Sequence, residues 1–282
     1  MELGIIFNSF MKVGWSGENF PDIVYPTLIG KPMMRASDKS TIQPIKSIMI
    51  GKEAADARSL LELYHPIDNG IINDWDAMEK IWDFGFKAAN ANDLADTKIL
   101  LTEAPFNPLD NREKMAEVMF EKFGFKAVRV GMQAVMALFS EGNLTGLVVD
   151  SGDGVTHIMP VYDGNLLEHA VGRLNIAGRH VTKYLNKLLL MRGYAFNSSA
   201  DFETVREIKE KLCYVSNDIG LDIKLDKETT VLTKQYVLPD NTVINIGKER
   251  FEAPECLFKP YKVDSDADGL SEMIFNCIEV YN

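Results

Sequence analysis

From Lys98 onward, short apolar runs alternate with amphipathic stretches, and the alternation reads as strands and helices in turn. KILLT, residues 98–102, predicts a buried strand. After a proline-rich turn over 104–108, residues 111–123 place Met115, Val118, Met119 and Phe123 on one helical face, and Gly124 ends it. The next strand is 127–130. Gln133 then opens an apolar helix through Phe139, and Gly146 precedes the strand LVVD. A strand-helix-strand-helix-strand order marks an α/β layer with a largely parallel sheet. A hairpin follows, and then helices. Val181, Tyr184, Leu185, Leu188 and Leu189 line a helix that stops at Gly193. A second helix, capped by Ser198 or Asp201, repeats Val205, Ile208, Leu212 and Val215 at helical spacing. Between about residues 224 and 247 the β-branched residues, with a turn at 239–241, predict a hairpin. Residues 36–44 read as an exposed polar loop. Trp75, Met78 and Trp82 share a face of a helix beginning near Asp74, where core packing is the simplest role.

Composition narrows the class. With 282 residues, 46% hydrophobic and 25% charged, the chain is globular and long enough for one large domain or two lobes. A net charge of -11 disfavours contact with phosphate backbones, so nucleic acid is not an expected partner. Cys213, Cys256 and Cys277 are too few and too scattered for a disulfide framework or thiolate zinc site. His65, His157, His169 and His180 show no ligand spacing, and no structural metal is expected. The first residues fit neither a signal peptide nor a membrane span.

The string VVDSGDGVTH, 148–157, is the most informative. A buried strand delivers Asp150 at its end, and Gly152 and Gly154 follow in a tight turn that could present backbone N–H groups to phosphate oxygens. Asp150 could hold a Mg²⁺-bound water, and His157 on the returning strand could orient an attacking one. Taken alone, Asp153-Gly154 is the commonest kind of hairpin turn signal, and an isolated SGDG is more often just a turn. Gln133 lies where a strand passes into a helix, the ligand edge of an α/β sheet, although by itself a plain helix start is the stronger reading. Arg206, Lys209 and Glu210 sit side by side on a helix, where a solvated face is the ordinary reading.

Longer strings decide among these readings. NREKMAEVMFEKF, VDSGDGVTHIMPVYDG, AGRHVTKYLNKLLLMRGYAF, VREIKEKLCYV and ERFEAPECLFKP closely resemble the actin superfamily, in its order, over about residues 10–278. ADFETVREIKEKLCYV, ETTVL and RFEAPE look like the actin-related subunit that pairs with actin-related protein 3 in the filament-nucleating complex. The resemblance implies an α/β, actin-like ATPase fold with ribonuclease H-like lobes around a nucleotide cleft. It divides the chain into a first lobe (1–28 and 67–137), a small insertion (29–66), an incomplete second lobe (138–175 and 261–282) and a further insertion (176–260). It implies ATP with Mg as a conformational ligand and at most slow hydrolysis. Its partners would be actin-related protein 3 and the other complex subunits, the actin filament and nucleation-promoting factors, in the cytoplasmic actin cytoskeleton. By the same resemblance, Asp150, Ser151, Gly152, Asp153 and Gly154 match a phosphate loop, with Asp150 reaching Mg through water. Gln133 and His157 match residues that position the hydrolytic water. Gly178, Arg206, Lys209 and Glu210 match nucleoside contacts, and Lys12 matches a phosphate-contacting lysine.

The chain also departs from the family. Where the family has an Asp-Asn-Gly-Thr/Ser-Gly loop, residues 5–9 read IIFNS, with Phe7 and Ser9 in place of both glycines. A bulky side chain there is expected to block close approach of phosphate to the backbone. The family continues beyond Ile278 with a further glycine-rich loop, and VYN at 280–282 no longer follows it. The expected consequences are weak MgATP binding and uncovered apolar surface near residues 75–86 and near Gly269. A truncated, nucleotide-poor isoform that binds partners without nucleating is the rival within the family. Sugar kinases share the architecture but need a second substrate pocket and a base. A chaperone ATPase would need a substrate domain, and a chromatin-associated relative has no supporting basic patch.

Overall fold

The computed structural model describes residues 2–7, 10–32, 47–68, 70–91 and 93–279. The expected loop at 36–44, the residues Asn8 and Ser9, and the end of the chain at 280–282 lie outside the described residues, as does the side chain of Phe7. The chain forms two compact units, Met1–Asp150 with Met159–Glu168, and Ser151–Ile158 with His169–Asn282.

The first unit is built on a five-stranded sheet in the spatial order Ala127–Met132, Lys98–Glu103, Glu2–Phe7, Phe10–Trp15 and Ile23–Pro26. Its first three strands are parallel, and the last two continue antiparallel. The crossover between the two outermost parallel strands is the helix Leu109–Glu117 extended by a π turn, Val118–Lys122, and Gly124 closes it in a left-handed conformation at φ 73°. Those helical residues rise about 20 Å, enough to return along a six-residue strand. The helix Gln133–Ser140 rises only about 12 Å. The strand after it, Gly146–Ser151, accordingly does not rejoin this sheet, which corrects the expectation of one parallel layer through LVVD. The core lies under the sheet: Leu3, Ile5, Met11 and Val13 meet Ile81 and Trp82 from the helix Trp75–Ala88. That helix begins at Asp74, whose carboxylate accepts from the Ala77 amide at 2.9 Å. Its apolar face was expected to be uncovered, yet Met78, Ile81, Trp82 and Phe86 are buried, because the sheet and the rings of Phe123 and Phe125 cover them. Gly85 leaves room for Tyr25, whose hydroxyl donates to the Ile81 carbonyl at 2.8 Å; a methyl group there would collide with that hydroxyl. A smaller sheet, Met49–Ile50, Ile29–Pro32 and Leu61–Tyr64, closes over Leu28, Ala54 and Leu61.

In the second unit, Thr156, His157 and Ile158 pair with Leu174, Arg173 and Gly172. The helices Gly178–Met191 and Ser199–Leu212 pack together through Leu185, Leu189, Val205 and Ile208. Ser198 caps the latter, accepting from the Asp201 amide at 3.1 Å, while the Asp201 carboxylate accepts from the Ser198 amide in return. The hairpin expected over 224–247 is shorter, Lys234–Val237 with Val243–Ile246, and Asn241 turns it at φ 66°. Residues before it form a helix, Ile219–Glu228, capped by Asp218. That helix buries no side chain, so it carries no helical apolar period; Ile219, Leu221, Ile223 and Leu225 alternate as in a strand, and Thr229 and Thr230 add strand propensity. Around Gly269, itself buried, the helix Leu270–Glu279 leaves Phe275 and Ile278 exposed.

Candidate functional site

The turn after Ser151 is held at both ends by hydrogen bonds. Ser151 Oγ meets Thr156 Oγ1 at 2.8 Å, and that hydroxyl in turn donates to the Ile176 carbonyl at 2.7 Å. The Gly152 amide donates across the turn to the Val155 carbonyl at 3.1 Å. The two carbonyls at its tip, of Gly152 and Asp153, accept from the amides of Gly178 and Arg179 at 3.0 and 2.8 Å. All described peptide bonds are trans. In a trans peptide the C=O and the following N–H point in opposite directions, so the amides of Asp153 and Gly154 are aimed away from the helix that holds their carbonyls. Neither amide meets a backbone carbonyl among the described residues outside regular structure. Two successive N–H groups turned to one side can together meet an anion; here Asp153 is half-buried and Gly154 buried. The chain's own residues therefore fit a phosphate group at this turn.

His157 follows on the strand, 2% exposed, and its Nε2 has no hydrogen-bond partner among the described residues. Burial, reinforced by the charge of Arg173 opposite, pushes its pKa down to about 4, so the ring is neutral at physiological pH. Gly178 lies directly against the turn: a Cβ there would meet the Gly152 carbonyl at 3.2 Å and Lys209 Nζ at 3.3 Å. Lys209 donates to the Gly178 carbonyl at 3.1 Å, and burial lowers its pKa against the opposing pull of Glu210 and Asp153. Arg206 is gripped by Glu203 at 2.8 Å and reaches Glu210 at 3.5 Å. Arg206 and Lys209 are half-buried and only Glu210 is exposed, so a simple solvated face does not describe them.

The first unit holds the remaining candidates. Lys12 is exposed on the strand Phe10–Trp15, and Asp150 is half-buried at the end of Gly146–Ser151. Burial raises the Asp150 pKa, and the charge of Lys12 opposes that rise. Gln133 is the first residue of its helix and follows Met132, the last of a parallel strand, without a loop. The neighbouring strand ends at buried Thr102, whose hydroxyl has no partner among the described residues, and Glu103, which accepts from Arg112 and Asn107. The strand Glu2–Phe7 runs through Ile5, which is buried in the core. Sequence reasoning missed Arg179, whose Nε donates to Asp153 Oδ2 at 2.8 Å, and Thr156 beneath the turn. The residue type gave no signal for Arg179, since an arginine in a first helical turn opposes the dipole and looks incidental.

A sequence model of the family described as Actin matches residues 8–282. The chain is 54% identical over 269 residues to actin-related protein 2 of Acanthamoeba castellanii, spanning 95% of this chain and 69% of that relative. It is also 54% identical over 272 residues to actin-related protein 2 of Saccharomyces cerevisiae, spanning 96% and 70%. Against actin-related protein 2 of Schizosaccharomyces pombe the identity is 54% over 270 residues, spanning 96% and 69%.

Proposed function

The chain belongs to the actin family, and from that premise we propose that it acts as an actin-related subunit of the actin-related protein 2/3 complex, templating branched filaments by shape. The observation that carries this is identity of 54% to actin-related protein 2 over nearly the whole chain. Its partners are then actin-related protein 3, the other complex subunits, the actin filament and nucleation-promoting factors, in the cytoplasmic actin cytoskeleton. The domain division given by the family resemblance goes with this reading. A tagged copy expressed in cells that contain the complex is expected to recover actin-related protein 3 and the smaller subunits. Recovery of none of them would leave the rival reading, a partner-binding form that does not nucleate.

The same reading assigns the nucleotide residues. The outward amides of Asp153 and Gly154, with Ser151 and Gly152, would hold phosphate oxygens; Lys12 would add a charge. Asp150 would hold Mg²⁺ through a water. Gly178, Arg206, Lys209 and Glu210 would contact the nucleoside. Gln133 and His157 would orient a water, for which the unpartnered Nε2 of His157 gives support. MgATP supplies conformational bias and a slowly hydrolysed bond; the chain is at most a slow ATPase.

Residues 5–9 set a limit on affinity. With IIFNS in place of the family's glycine loop, millimolar MgATP is expected to raise the melting temperature barely. The double variant Phe7→Gly/Ser9→Gly is expected to gain more, up to about 2.7 kcal/mol at a hundredfold excess over the dissociation constant. Adding Asp150→Ala should then remove much of that gain. A large MgATP-induced shift in the unaltered chain would show that the lost glycines are not needed.

A further inference from the structure

The helix Gly178–Met191 starts without a side-chain cap, because Ala177 at its N-cap position has no oxygen to offer. Its first two amides would be orphans. They are instead satisfied by the carbonyls of Gly152 and Asp153, at 3.0 and 2.8 Å. Arg179 adds a charge-assisted bond from Nε to Asp153 Oδ2 at 2.8 Å, with both side chains about three-quarters buried, at 27% and 21% exposed. Lys209, donating to the Gly178 carbonyl, holds the same turn of helix from the other side. Two of these contacts fix two peptide planes of the turn, the ion pair ties the Asp153 side chain to the same helix, and Lys209 steadies that helix turn.

Plane orientation matters here more than position. If either peptide rotated by half a turn, its carbonyl would face outward and repel an anion that its N–H now attracts. Because the donors on the helix can bind only the carbonyl side, the helix start and Arg179 select the outward-amide state. We propose that Arg179 is a positioning residue, which with the first turn of its helix locks the amides of Asp153 and Gly154 outward before any phosphate arrives. This rests on the phosphate-loop reading above for its use, but not for its test. Gly178 serves the same device: a Cβ there would crowd the Gly152 carbonyl at 3.2 Å and loosen the pairing.

The test uses the full chain without nucleotide. Amide hydrogen exchange is measured at residues 151–157 and 177–180 in the unaltered protein, in Arg179→Met and in Arg179→Lys. Loss of the ion pair is expected to speed exchange at the amides of 178 and 179 by about tenfold, comparable to a lost helix cap. Amides deeper in the helix should be unaffected, and Arg179→Lys should restore most of the protection. Unchanged exchange at 178 and 179 in Arg179→Met would overturn the proposal. A second arm, in the Phe7→Gly/Ser9→Gly background, measures affinity for MgATP and for adenosine. Arg179→Met should weaken MgATP about tenfold and leave adenosine unchanged. An equal loss for both would overturn the positioning role, because a generally damaged site would explain it. If no variant binds MgATP, the phosphate reading fails, and hydrogen exchange still decides whether Arg179 sets the turn.

Discussion

Trp82→Ala is expected to remove about 3–5 kcal/mol of stability from the first unit. The Trp82 side chain is fully buried, between the sheet residues Leu3, Ile5, Met11 and Val13 and the helix face carrying Met78 and Ile81. Its ring lies 6.5 Å from that of Trp75, in a tilted pair. Deleting it leaves a hole that a sheet on one side and a helix on the other cannot close, since both are tied by backbone hydrogen bonds. The loss corresponds to a fall of roughly 10 °C in the melting temperature of a unit of this size. Trp15, Trp75 and Trp82 all lie in the first unit, so tryptophan fluorescence, excited selectively over tyrosine, follows this unit alone in a urea titration. Lys80→Ala, on the exposed side of the same helix, serves as control and should stay within about 0.5 kcal/mol. A loss under about 1 kcal/mol for Trp82→Ala would mean that the helix does not close this core.

The fold was legible wherever one face of an element is buried. Met115, Val118 and Met119, or Leu185, Leu188 and Leu189, repeat at helical spacing because each meets a core, and a core leaves its period in the sequence. The helix Ile219–Glu228 buries nothing and left no helical period; its apolar residues alternate as in a strand, which misled. The sheet that receives Gly146–Ser151 was also illegible, because membership depends on where a short helix delivers the chain and not on the strand's own residues. The burial of the helix Trp75–Ala88 shows the same limit: what covers a face is a tertiary fact.

The site was legible in its motif and illegible in its supports. Gly152, Asp153 and Gly154 announce a tight turn, and the proposed phosphate role over a plain hairpin rests on the family resemblance. Which way the amides point depends on Gly178 and Arg179, about 25 residues further along. No spacing rule links those positions. His157 stands out in the sequence for its place on the returning strand, but its neutrality comes first from burial and then from Arg173 across the sheet, and sequence order supplies neither.

That neutrality carries a pH dependence. His157 is held at a pKa of about 4 by burial first and by the Arg173 charge second, against an ordinary value of 6.5. Between those two values the unfolded chain binds a proton that the folded chain refuses, so stability rises with pH through this window. The stabilisation is complete above about pH 6.5 and is lost as the pH falls toward 4. A gap of this size is worth about 3 kcal/mol at its acid end. Carboxylates also titrate in part of the window, so the measurement has to be a difference between two proteins. His157→Gln keeps a polar side chain of similar reach but cannot take a proton near neutrality. The unaltered protein is expected to lose roughly 2–3 kcal/mol more than His157→Gln between pH 7 and pH 4.5, read by hydrogen exchange in the helices Gly178–Met191 and Ser199–Leu212. Arg173→Gln should recover part of the difference, since it removes the repulsion but leaves the burial. Parallel acid profiles for the unaltered protein and His157→Gln would show that the ring reaches solvent and that the strand pairing around it is not as tight as described.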